Sequence, residues 1–465
     1  MTYRHVAQMR VNKRSTYHLV EAVVTLLAVL ATMVCTWSVA PGAGAAVLAA
    51  VLALSLSRSH MDRDWRGRLE AVVVLPLVGF VALGVGMLPR QMPWVGASAF
   101  VAGMFLSIWL RRFGSMARRA GRLIALPFVT LLTVPHIRAT SSSVIPAALV
   151  PMVVALLALV WVTVFHLLAR HLRVLPPIAL KEQAATTSRQ EGGMRPDAAT
   201  RMAIQMAVAL ALAFVVGYLC FAERWVWVVL TAFIVNSGNR GRLDVAYKSG
   251  LRVLGAAAGT VLAMSVSIHA DMNPATTGAL ILLALFFGVW LRPKGYAWWA
   301  LFVTLALALL QGFEPEPPST LLWLRLEEIV IGAVIGLASA WFVLPVRSTD
   351  VLRRRLADAL AAMAEAIDPA TTERTPNRVA SALDQLEDMA APFRASRRLT
   401  RRFRTTQPAD WVDALLACRT PAIDVIARGE TPGRLRQAVG AARKALREPE
   451  HLLPALQQLR QTLDA

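Results

Sequence analysis

From Val20 to Pro345 this chain is a succession of apolar stretches, each about as long as a helix needs to cross a bilayer. A hydrocarbon core of about 30 Å takes roughly 20 helical residues, and a helix satisfies its backbone polar groups within its own segment. Six candidate spans run Val20–Val39, Pro41–Ser57, Leu69–Leu88, Pro93–Leu110, Leu123–Ile137 and Val144–Leu168. Six more run Met202–Phe221, Trp225–Ser237, Gly250–Ile268, Pro274–Leu291, Tyr296–Gly312 and Leu321–Pro345. Those at Leu123 and Trp225 are short enough to be tilted, broken or partly interfacial. Since 56% of the 465 residues are hydrophobic and 17% charged, the composition falls outside that of soluble domains. The expected fold class is all-α: a polytopic membrane protein of about twelve spans, followed by a polar helical domain.

A formal charge of +20 would suggest nucleic acid in a soluble protein, but its distribution gives it another meaning. With the N-terminus on the cytoplasmic side, six inner segments precede the tail: 1–19, 58–68, 111–122, 170–201, 238–252 and 292–294. They hold 25 Lys and Arg, while the alternate loops hold only Arg90, Arg138 and Arg224. This asymmetry predicts cytoplasmic N- and C-termini, a bilayer rather than nucleic acid as the partner, and an even number of spans. Cys35, Cys220 and Cys418 stand in no metal or redox spacing and read as core residues, and no cofactor is expected. The first apolar run follows basic residues but lacks a cleavage site, so it reads as an uncleaved span.

RGRL occurs at Arg66–Leu69 and again at Arg240–Leu243, and FVTL at Phe128 and Phe302; both pairs are 174 residues apart. Two matches at one offset predict a duplication. Six spans per half is even, so the halves run parallel, with residues 1–169 as the first, 170–201 as a cytoplasmic linker and 202–346 as the second. Transporters built from parallel halves commonly place their substrate route at the interface between them. The RGRL arginines would then hold loops on the inner face and reach lipid headgroups.

The last span, LLWLRLEEIVIGAVIGLASAWFVLP, carries charges, which cost several kcal/mol each in hydrocarbon unless they face water, a cavity or one another. Arg325 and Glu328 are three residues apart and can pair on one helical face, which continues through Gly332, Gly336 and Ala340. Glu327 is turned about 100° away. Two readings follow: Arg325 recognises an anion while a glutamate takes up a proton, or the pair orients the outer end of the helix. The residues 174 positions earlier, Pro151, Val153 and Val154, are uncharged. Upstream, Trp225 and Trp227 suit an outer aromatic belt, and Arg252 precedes the small-residue pair Gly255 and Gly259.

The run W-x-x-L-T near Trp225, a polar break, a basic loop, R-x-x-G-x-x-x-G-T from Arg252, and R-x-x-E-x-x-I-G from Arg325 together resemble the fusaric acid resistance family of bacterial inner-membrane proteins. The resemblance is densest over Met202–Pro345. It implies export of hydrophobic or aromatic carboxylic acids driven by the proton gradient, with a periplasmic adaptor protein as a partner in some members. Trp225, Arg252, Gly255, Gly259, Arg325, Glu328 and Gly332 are the matching positions. Relatives with large soluble segments after each half differ from this chain, whose connector Arg170–Arg201 is short.

From Arg347 the chain turns polar, with 20 Lys and Arg against 15 Asp and Glu to Ala465. Ser348, Thr349 and Asp350 can cap a helix to about Ile367, and Pro369, Pro376, Pro408, Pro421 and Pro432 punctuate a small bundle over 347–465. A basic cluster runs through Arg394, Arg397, Arg398, Arg401, Arg402 and Arg404. It suits anionic lipid, an acidic partner or the substrate anion, or simply a solvated basic helix. No Walker A, H-E-x-x-H or G-x-S-x-G motif occurs, so neither ATP-driven transport nor an enzyme is expected. Glu327 and Glu328 are adjacent as in intramembrane CAAX-type proteases, but Ala333, His136, His166 and His269 do not complete that pattern. A passive organic-anion channel, a non-transporting scaffold and a homo-oligomer remain open at this level.

Overall fold

The computed structural model describes residues 3–58, 92–113, 117, 121, 146, 149–174, 198–221, 224–269, 273–311, 318–370, 376–402, 406–429 and 433–464. The spans expected at Leu69–Leu88 and Leu123–Ile137, the first RGRL and FVTL copies and most of the connector lie outside them. Among the described residues there is no strand, and the chain divides into two compact units.

The first unit contains the apolar helices α1 (Tyr3–Val39), α2 (Ala43–Arg58), α3 (Pro93–Trp109), α4 (Val150–His171), α5 (Ala198–Cys220) and α6 (Val226–Asn236). It continues with α7 (Arg242–His269) from Lys248 onward, α8 (Pro274–Leu291), α9 (Tyr296–Gln311) and α10 (Pro318–Phe342). Five stretches among the described residues, within α1, α4, α5, α7 and the α8 region, are long and apolar enough to cross a membrane; α2, α3, α6 and α9 are shorter apolar helices. The chain is a multi-pass helical membrane protein.

Proline opens α3, α4 and α8, where its missing N–H would be an orphan in any case. The Asn273 side chain caps α8 by accepting from the Thr276 N–H at 2.8 Å. α1, α2 and α4 pack on one another around Val29, Ala49, Ala53, Val154 and Ala158. α5, α6 and α10 likewise pack on one another, with α3 against α5 and α8 against α1.

Glycine sets how closely these helices approach. A Cβ on Gly332 would lie 2.5 Å from the Val228 carbonyl oxygen, and one on Gly336 2.8 Å from Asn236 Nδ2, so α10 rests directly on the α6 backbone. Gly255 and Gly259 bring α7 onto α9 in the same way, beside Ala300 and the Leu301 carbonyl. α6 has 11 residues, about 16 Å at 1.5 Å per residue, roughly half a hydrocarbon core. Its last residue turns back, with Asn236 Nδ2 donating to the Ala232 carbonyl at 3.0 Å.

The second unit comprises residues 238–247 with the chain from Pro345 onward. Its helices are α11 (Ser348–Ala366), α12 (Pro376–Glu387), α13 (Ala390–Thr400), α14 (Pro408–Ala417), α15 (Arg419–Ala427), α16 (Gly433–Ala445) and α17 (Pro449–Asp464). Each lays an apolar stripe on a shared core that includes Leu356, Leu360, Leu383, Leu415 and Leu459, all fully buried. Pro376 and Pro408 begin helices as expected, whereas Pro421 sits inside the first turn of α15, where a proline is tolerated. Of the cysteines only Cys418 is a core residue, its thiol pushed up to about 12 by burial; Cys35 is half-buried and Cys220 exposed.

The second RGRL copy is built into this unit. Gly241, at a φ of 120° that only glycine adopts freely, passes Ser348 so closely that a Cβ would lie 2.6 Å from the serine hydroxyl. That hydroxyl does not cap its own helix but accepts the Leu243 N–H at 2.9 Å, while the Arg242 N–H donates to the Val346 carbonyl at 3.1 Å. Arg240 Nη1 donates to the Asp388 carbonyl at 2.7 Å. Arg240 thus has a protein partner that a lipid-reaching loop arginine would not need.

Two substitutions separate close packing from helix propensity. Gly332→Ala should lower the thermal midpoint in detergent through an overpacking cost of about 1–3 kcal/mol. Gly250→Ala, at a helical position where a Cβ would meet nothing within 4 Å, should raise it through a stabilisation of about 0.5–1 kcal/mol. Gly241→Ala should lower it because φ and space both oppose a Cβ. A thermal series in which the three shift alike would contradict this packing.

Candidate functional site

The face of α10 that touches α6 carries more than glycine. Arg325, Glu328, Gly332 and Gly336 follow at spacings of three and four, so one stripe presents two charges and then two gaps. Both charges are buried: Arg325 is 3% exposed and Glu328 1%. Glu327 falls on another face and is exposed. The close contact made by the glycines therefore continues as a polar contact one turn earlier.

Among the described residues the ion-pair partner of Glu328 is Arg224, not Arg325. Arg224 Nε lies 3.6 Å from Glu328 Oε1, and the arginine is 40% exposed while the glutamate is sealed. Neither Glu328 oxygen accepts a hydrogen bond. Arg224 stands two residues before α6, whose first turn has N–H groups without intrahelical acceptors and the positive end of the peptide dipoles. A carboxylate is favoured at such a place. The guanidinium of Arg325 lies over the Trp227 ring, 3.8 Å from its centroid, a cation–π contact in a desolvated setting.

An aromatic group adjoins the charges, because Arg224, Trp225 and Trp227 fall within one turn. The Trp225 ring centroid is 5.3 Å from Phe214 and 5.2 Å from Tyr218 of α5. Tyr218 meets Trp94 of α3 edge-on at 5.3 Å, and its hydroxyl donates to the Pro93 carbonyl at 3.2 Å. The α5 backbone can approach because Gly217 faces Trp225, where a Cβ would lie 2.8 Å from the tryptophan Cβ. Three helices thus bring four large rings to the end of α6 that holds the buried ions. Such rings bind flat apolar bodies, while the cations bind anionic groups.

Of the residues singled out from sequence, Arg325, Glu328, Gly332 and Gly336 meet along the α6–α10 contact, while Trp225 packs on Phe214 and Tyr218 of α5. Arg252, 2% exposed, sits instead on α7 one turn before Gly255, with Tyr296 at the start of α9 as its electrostatic neighbour. Its Nε has no hydrogen-bond acceptor. Sequence reasoning missed Arg224, which it counted only as an outer-loop cation, along with Phe214, Tyr218 and Trp94. Arg224 carried a usable signal: it is a rare cation in loops that otherwise avoid them, directly before a helix. Phe214 and Tyr218 carried another, as aromatics four apart in an otherwise aliphatic helix. Among the described residues no group of three His, Cys, Asp or Glu could hold a metal ion.

Comparison with known proteins follows the same region. The family model described as fusaric acid resistance protein-like matches residues 203–339, from α5 to the end of α10. The chain is also similar to the protein named "Uncharacterized protein YhfK" of Escherichia coli (strain K12), 26% identical over 181 residues. That alignment covers 36% of this chain and 24% of the relative, so this chain spans about a quarter of the protein it matches. No solved structure matches. The stretch that resembles the fusaric acid resistance protein-like family, residues 203–339, contains the Arg224, Arg325 and Glu328 cluster.

Proposed function

We propose that the protein is a transporter rather than an enzyme: an inner-membrane exporter of hydrophobic or aromatic carboxylic acids, driven by protons. The observation that carries this reading is the sealed Glu328 carboxylate with its half-exposed partner Arg224, beside Arg325 on Trp227 and the group of Trp94, Phe214, Tyr218 and Trp225. A substrate carboxylate competes with Glu328 for Arg224 while its ring lies on the aromatics. A proton on Glu328 removes the competing charge and frees Arg224. Proton uptake and anion binding then become alternative ways of balancing one arginine, which is the minimal requirement for coupling their movement.

The accompanying topology in this reading is twelve spans in two parallel halves, with both termini cytoplasmic. α1, α2 and α4 pack together as α5, α6 and α10 do, and α8 meets α1 as α3 meets α5. Buried positions of α4, Val154, Ala155, Ala158, Leu159, Val162 and His166, stand 174 residues before Glu328, Ile329, Gly332, Ala333, Gly336 and Ala340. In that register Val154 of the first half occupies the place of Glu328. One half keeps the packing, and the other adds the charge.

The test is flux of labelled benzoate in proteoliposomes with and without an imposed pH gradient. The wild-type protein should accumulate benzoate against its gradient, and a protonophore should abolish this. Glu328→Gln, isosteric and uncharged, should bring pH-driven flux to the protein-free background while its chromatographic profile stays unchanged. Normal proton-coupled flux in that variant would rule out the coupling role. A benzoate current indifferent to the pH gradient would replace the exporter by a passive channel, and absence of any flux would leave a scaffold.

A further inference from the structure

In the second unit, α13, α14 and α17 line a groove of about 840 Å³, within the size range of small-molecule sites. Its apolar floor comes from Ala414 and Ala417 of α14 and Leu453 and Leu456 of α17. Four arginines and two aspartates also line it. The aspartates are already committed. Arg397 bridges Asp410 at 2.7 Å and Asp413 at 2.8 Å, and Arg394 reaches Asp413 at 2.7 Å. Asp410 also accepts the Gln407 N–H at 2.8 Å and so closes the capping box that starts α14. Hydrogen bonding to Asp410 holds the Arg397 guanidinium above its ordinary value.

What remains is cationic. Arg398 is exposed, and Arg401, three residues on along the same helix, is exposed too. Neither makes an ion pair among the described residues. Among the described residues Arg460 of α17 pairs with Asp464 at 3.5 Å, an exposed pair four apart that contributes little. Three arginines without strong partners therefore rim a floor of alanine and leucine. A metal ion or a polyamine would meet the wrong charge. A free phosphate would satisfy the rim and leave the floor in water.

We propose that this groove binds an amphipathic organic anion, with a carboxylate held by Arg398, Arg401 and Arg460 and an apolar body laid on Ala414, Ala417 and Leu453. Arginine forks suit a planar carboxylate, and leucine side chains gain from any apolar surface that covers them. The site lies within the C-terminal helical unit and does not depend on how the membrane helices work.

Photolabelling of the full-length protein in neutral detergent with benzophenone-4-carboxylate, followed by peptide mapping, tests this. Label should fall on peptides containing Ala417 or Leu453 and be displaced by 2-naphthoate. Inorganic phosphate and uncharged benzophenone should displace it poorly. Arg398→Gln with Arg401→Gln, both at exposed positions, should raise the half-labelling concentration at least about tenfold, the size of one lost charge-assisted hydrogen bond. Unchanged labelling in that double variant, equal displacement by phosphate, or equal displacement by benzophenone would each overturn the proposal. Absence of label from the groove peptides would do so as well.

Discussion

A carboxylate buried in an apolar helix needs a counter-charge to remain ionised, and much of this membrane unit follows from how Glu328 finds one. Leaving it alone would cost several kcal/mol, and the nearest sequence neighbour of opposite sign, Arg325, is directed over the Trp227 ring instead. Arg224 supplies the charge from outside α10, and it can do so only if α6 lies against that helix. Gly332 and Gly336 permit this by removing the atoms that would hold the two backbones apart. Electrostatic demand and small-residue packing therefore act on the same pair of helices.

The shortness of α6 belongs to the same solution. An 11-residue helix places its N-terminal end, with its orphan N–H groups, beside the buried charge. It also lets consecutive residues at that end serve different neighbours: Arg224 meets Glu328, Trp225 turns to Phe214 and Tyr218, and Trp227 takes Arg325. The result is a pair of cations beside a wall of rings.

The membrane class and the glycine stripes were legible in the sequence because they depend on composition and helical spacing, which are local. The stripe from Arg325 through Gly336 indicated a helix contact but not the identity of the helix it meets. Arg224 joins Arg325 as a cation beside Glu328 and makes the ion pair, since spacing shows which residues share a face and not what lies opposite. Arg240 illustrates the same limit. Its loop position suggested a charge that holds topology, whereas it hydrogen-bonds Asp388, 148 residues away. In the tail, Pro376 and Pro408 coincide with helix starts, whereas Pro421 lies where proline fits a helix rather than stops one.

The central claim is that Glu328 is held as a buried anion by Arg224, and a double-mutant cycle on thermal stability in lipid nanodiscs measures it most directly. Arg224→Ala alone should destabilise, because it strands the carboxylate. Adding Glu328→Gln should recover much of that loss, giving a coupling of about 0.5–3 kcal/mol. Strictly additive losses, with no recovery in the double variant, would show that the two residues do not depend on each other.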